Sequence, residues 1–221
     1  MNRTVVRMTG ILALAALLSA GCTTTTSQPM THMSPMTATS ATKAAELRAG
    51  LNALLGEHVM LAAAATGAAL EGREADFKAA AGALDANSVD IAKAIGSIYG
   101  AGAEQAFLPL WRRHIGFVVD YTVGLATQDK AKQDKAVSDL LGYSQDLAAF
   151  FNSANPNLPK AAVADLVKGH ILTLKDVIDA QAAKDPVKAN MALRQAYGHM
   201  HMIADPLAEA IVKQFGDKFA G

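Results

Sequence analysis

Leu54-Leu55-Gly56-Glu57-His58, Leu110-Trp111-Arg112-Arg113-His114 and Leu166-Val167-Lys168-Gly169-His170 each place a leucine four residues before a histidine. The intervals are 114 − 58 = 56 and 170 − 114 = 56 residues. A period of that length, holding two residue types in register, is the signature of one supersecondary unit used three times. Three of the six histidines occupy the repeated position, which makes it the first place to look for chemistry.

Outward from these stretches the composition is helical. From Ala41 the chain is rich in Ala, Leu, Lys, Glu and Gln and poor in aromatics, the usage of helices rather than sheets. Breaks fall at Gly72, Gly100-Ala101-Gly102, Asp129-Lys130, Asn155-Pro156-Asn157-Leu158-Pro159 and Asp185-Pro186, residues that stop or start helices. They predict helices near residues 43–70, 74–99, 103–127, 131–152, 159–184 and 187–215. The expected fold is all-α: six helices paired as three hairpins from a 56-residue repeat, packed as one bundle over residues 43–221. A domain of that size builds a core without disulfides.

Apolar residues recur at three and four around each histidine, as in Leu51, Leu54, His58, Leu61 and in Leu110, Trp111, His114, Phe117 and in Leu166, Val167, His170, Leu174. That spacing turns all three imidazoles toward the core. Residues equally far from a hairpin turn lie at one level, and His170 and His199 are centred beside Asp185-Pro186. Their separation of 29 gives Asn87 as the partner of His58 and Tyr143 as the partner of His114, all groups able to hydrogen-bond an imidazole. Packed around a pseudo-threefold axis, His58, His114 and His170 would meet at one height.

Two readings of that layer stay open. In one, each imidazole is a neutral buried group satisfied by Asn87, Tyr143 or His199. In the other, the layer is a metal site, since neutral imidazoles inside a helical bundle suit copper or zinc; His58, His114, His170 and His199 are then the expected ligands. A second cluster, Tyr197-Gly198-His199-Met200-His201-Met202, puts its two histidines about 200° apart on a helix. One is expected to face the core and the other outward, where His201 and Met202 could offer an exposed copper-type pair. Pro206 is expected to kink or end the last helix.

The N-terminal region reads as an address. Arg3 and Arg7 precede an apolar run from Ile11 to Leu18, and Leu18-Ser19-Ala20-Gly21-Cys22 supplies small residues for a signal peptidase. The Ala-Gly-Cys ending resembles the lipobox of bacterial lipoprotein precursors, with Ser19 where Leu is usual. The resemblance implies a signal peptide over residues 1–21, lipid on Cys22, the only cysteine, and attachment to the cell envelope. With Thr23 following, it implies delivery to the periplasmic side of the outer membrane in a Gram-negative cell. Residues 22–42 then form a polar tether. Within it, Met30-Thr31-His32-Met33-Ser34-Pro35-Met36 gathers soft thioethers around an imidazole, a composition that suits Cu(I).

Catalytic signatures are missing: no Gly-rich phosphate loop, Gly-x-Ser-x-Gly, His-Glu-x-x-His or Cys-x-x-Cys-His occurs. Nor is the di-iron bundle signature present, because Glu57 and His58 are adjacent. Asp90 and Asp146 are expected to be solvated. Twenty basic and twenty acidic residues balance; loss of Arg3 and Arg7 with the signal leaves 18 against 20, a net of −2, and no basic patch points to nucleic acid.

The stretches around residues 83–90, His114-Ile115-Gly116-Phe117-Val118-Val119-Asp120-Tyr121 and Ala210-Ile211-Val212-Lys213-Gln214-Phe215 resemble an uncharacterised bacterial envelope family over most of residues 47–219. Some members carry labels taken from copper amine oxidases. The oxidase cofactor comes from an Asn-Tyr motif, and none of Tyr99, Tyr121, Tyr143 and Tyr197 follows an Asn, so oxidase activity does not carry over. The expectation is a lipid-anchored, non-catalytic envelope protein that binds copper or zinc; the alternative is a scaffold whose histidines are structural.

Overall fold

The computed structural model describes residues 42–220, and Cys22, the segment expected to be a signal peptide and the cluster at residues 30–36 lie outside them. The described chain is all helical: α1 Lys43–Leu70, α2 Glu74–Tyr99, α3 Ala101–Ala126, α4 Lys130–Ala154, α5 Lys160–Ala182, α6 Pro186–Gln214 and a final short turn, α7 Gly216–Phe219. The first six agree with expectation to within a few residues, while α7 was not expected.

Local chemistry accounts for the boundaries. Thr42, Asp129 and Asp185 cap α1, α4 and α6 by accepting from the amides of Ala45, Lys132 and Lys188, and Pro186 stands at the first turn of α6, where a missing N–H costs nothing. Asn155 shapes the α4–α5 connection by accepting from the Asn157 amide at 2.9 Å, and its side-chain amide donates to the Tyr99 hydroxyl at 3.1 Å.

One turn closes all three hairpins. Gly72, Gln128 and Lys184 adopt φ of 70°, 57° and 55°, and successive turn amides return to the carbonyls of Ala69 and Ala68, of Leu125 and Gly124, and of Gln181 and Ala180. These are left-handed C-terminal caps. Only the first uses glycine, whereas the other two hold an L side chain where it costs about 1 kcal/mol or more. Lys184→Gly is therefore expected to stabilise the fold by about 0.5–1 kcal/mol, a rise in Tm of roughly 1–4 °C. Thermal unfolding followed by circular dichroism checks this, and an unchanged or lower Tm would contradict it.

The six long helices form a closed ring in chain order, each packed on the next and α6 on α1. Inside the ring α1, α3 and α5 also touch one another in pairs, so the histidine-bearing helices make the centre and α2, α4 and α6 the outer seams. α1 is long and apolar enough, by length and composition, to cross a membrane. Its burial against four other long helices accounts for that composition. Leu51, Leu55 and Val59 on α1, Phe107 and Trp111 on α3, and Val163, Val167 and Ile171 on α5 supply much of the core.

Pro206 neither ends nor interrupts α6, which runs on to Gln214. Both Pro206 and Met202, whose carbonyl loses its helical partner, are exposed, so water can take the place of the missing N–H.

Candidate metal centre

Each inner helix delivers one imidazole to the bundle axis. His58, His114 and His170 are 1%, 3% and 5% exposed, and one ring nitrogen from each lies within 4.8 Å of the others. The Nε2 atoms of His58 and His114 are 3.4 Å apart, close to the separation that two ligands of one tetrahedral ion at about 2.0–2.1 Å would show. This buried cluster is able to hold a metal ion.

The protonation states suit that role. Burial, reinforced by the neighbouring imidazoles, holds His58 well below the ordinary histidine range. The same causes bring His114 down to about 3, opposed weakly by the Trp111 backbone, which does not reach hydrogen-bond geometry with Nδ1. Burial and the proximity of His199 bring His170 to about 4. All three are neutral at pH 7, so their lone pairs are available without proton loss.

The expected hydrogen-bond partners go elsewhere. The Asn87 amide donates to the Leu54 carbonyl at 3.0 Å and to Glu57 Oε2 at 2.8 Å, not to His58. Tyr143 stacks on the His114 ring, with centroids 4.8 Å apart and planes at 26°, and its hydroxyl has no partner. His199 Nε2 meets the Leu166 carbonyl at 2.8 Å. None of the three repeat histidines has a protein partner at Nδ1. Level was read correctly from the hairpin geometry, but direction around the helix was not.

His199 therefore stands outside the converging set. At 100° per residue the core-facing position of this stretch falls on Met200, 1% exposed, which sends His199 toward α5 and His201 toward α1. His199 lies so close over Gly169 that an added β-carbon there would come within 2.5 Å of its Cε1. His201 is exposed and bonded to the Asn52 side chain of α1, and Met202 is exposed. Asp90 and Asp146 are exposed partners of Lys93 and Arg113, as expected.

Aromatic walls complete the site. Trp111, one turn before His114, lies against both His58 and His114, with centroids 4.9 and 4.6 Å away, and Phe107 stacks on its other side at 5.3 Å. Trp111 Nε1 is buried without an acceptor. On one side of the layer a cavity of about 60 Å³ runs along the bundle axis, lined by Trp111, Tyr143, His114 and His170 together with apolar side chains of all six helices. On the other, a groove of about 320 Å³ between α1, α2 and α3 reaches His58 and His114. Ala62 and Ala65 leave that groove open; 56 residues on, Val118 and Tyr121 stand in their places, and Leu174 and Val177 after them.

Trp111 was read from sequence only as an apolar position, although its place one turn before a repeat histidine was visible. Compared with protein-family models, curated proteins and solved structures, the chain matches none.

Proposed function

We propose that this chain is a metal-binding protein of the bacterial envelope, held to the membrane by lipid on Cys22. It takes up one copper or zinc ion through His58, His114 and His170 and performs no chemistry on it. The observation that carries this reading is the convergence of three neutral, buried imidazoles from three helices on a point with no competing acid or amide. Imidazole is the favoured nitrogen ligand of both metals, and His201, Met202 and the methionines of the tether offer transient contacts for copper on its way in.

The competing reading, a scaffold with structural histidines, is favoured by one feature: the Nδ1 atoms lack the acceptors that usually orient metal-bound imidazoles. Titration separates the two. Metal-stripped protein carrying Met30, Met33 and Met36 as leucine is expected to bind one Cu or Zn ion per chain, and His58→Leu, His114→Leu and His170→Leu together to abolish it. Uptake that survives in the triple variant, or no uptake by its parent, would remove the layer from the function.

A further inference from the structure

One buried thioether stands beside the histidine layer. Met200 is 1% exposed and lines the axial cavity together with His114 and His170, whereas Met60, Met191 and Met202 are exposed. Its height follows from the α5–α6 hairpin, in which His199 lies level with His170, against Gly169 and the Leu166 carbonyl. Met200 is one residue further on, about 1.5 Å along α6. Because α6 runs away from the Asp185 turn and helical side chains lean back toward the N-terminus, the Met200 side chain leans toward the layer.

Within the repeat this residue is an exception. One and two periods earlier stand Ser144 and Ser88, buried like Met200, with their hydroxyls donating to the Leu141 and Leu84 carbonyls of their own helices. Along the same row of α6, Ala192, Ala196, Ala204 and Ala208 are buried on either side of Met200. These small side chains let the helix approach, and in that row a single long one projects to the axis. Methionine fills gaps in cores, but leucine would fill this one as well; what the sulfur adds is a soft lone pair.

Three imidazoles leave an ion one donor short of a tetrahedron. The converging set contains no carboxylate and the adjoining wall is almost wholly apolar, so a second positive charge finds nothing to offset it. Both conditions favour a soft, monovalent ion. Resting on the metal reading above, we infer that Met200 is the fourth ligand, and that its thioether makes the layer a Cu(I) site in preference to a zinc site. The imidazoles supply affinity for either metal; the sulfur and the missing counter-charge supply the choice between them.

The test uses metal-stripped protein carrying Met30→Leu, Met33→Leu and Met36→Leu, loaded with one equivalent of Cu(I) without oxygen and read by copper X-ray absorption. Three nitrogen scatterers and one sulfur are expected, with the sulfur lost in Met200→Leu and kept in Met202→Leu. Met200→Leu conserves volume, which cores tolerate best. In competition with a chromophoric Cu(I) chelator that variant is expected to hold Cu(I) at least about tenfold more weakly, the loss that even an outer partner of a ligand causes, while zinc affinity stays unchanged. Copper bound by nitrogen alone in the parent, sulfur that survives in Met200→Leu, an equal weakening of copper and zinc, or zinc uptake without Cu(I) uptake would overturn the inference and leave the metal centre standing. Failure to bind either metal would overturn both.

Discussion

Leucine at positions 58, 114 and 170 together makes the metal-free protein more stable, not less. Each histidine buries an Nδ1 with no partner, and such an orphan costs about 1–3 kcal/mol. Leucine has a similar volume, and an apolar side chain of about the right size is usually accommodated for less than about 1.5 kcal/mol. A gain of about 1 kcal/mol per site is therefore expected, raising Tm by roughly 6–12 °C for the triple variant. Chemical denaturation at neutral pH measures it. A loss of several kcal/mol would show that the imidazoles hold the core, and would favour the scaffold reading. A gain would mean that the chain keeps three destabilising groups at its centre, which a ligand explains and packing does not.

Acid is expected to unfold the metal-free bundle well above the range in which carboxylates titrate. The folded-state values of His58, His114 and His170 all lie below the unfolded value of about 6.5, so the unfolded chain binds protons that the folded one refuses. Their contribution is complete above about pH 6.5 and is lost as pH falls toward 4. Each histidine removes about 1.4 kcal/mol per pH unit, which for three amounts to about 5 kcal/mol between pH 7 and 5. That is comparable with the whole stability of many domains. Helical circular dichroism is expected to collapse near pH 5. On the metal-binding proposal, stoichiometric zinc should move the midpoint down because it would bind only the deprotonated, folded layer, and the leucine variant should lose the transition altogether. Persistence of the parent fold below pH 4 would contradict the argument.

Much of the architecture was legible because the chain punctuates itself. Asp129 and Asp185, read as breaks in the sequence, cap α4 and α6 in space, and the Gly100 and Asn155-to-Pro159 breaks fall where helices end. The 56-residue spacing placed three histidines on one level. It could not say which way the partners turn: Asn87 is drawn to the Leu54 carbonyl and Glu57, and one residue of rotation brings Met200 rather than His199 to the axis. Gln128 and Lys184 concealed their left-handed turns, since neither is a glycine. The cavity was invisible from sequence because it depends on where Trp111 and Tyr143 leave space, a property of packing across six helices and not of any one of them.

The closed ring has a consequence for how the molecule assembles. Five of its seams join helices consecutive in the chain; only α6 against α1 joins the two ends of the domain. Nearby pairings form quickly because little chain entropy is lost, and distant ones late. The docking of α6 on α1, where Asn52 meets Asp205 and His201, and Arg48 meets Glu209, is thus expected to come last. The same seam should be the first to part in the native ensemble. Until it shuts, the axis stands open along its whole length, so on the metal-binding proposal an ion is expected to enter from the side before the helices close around the histidine layer.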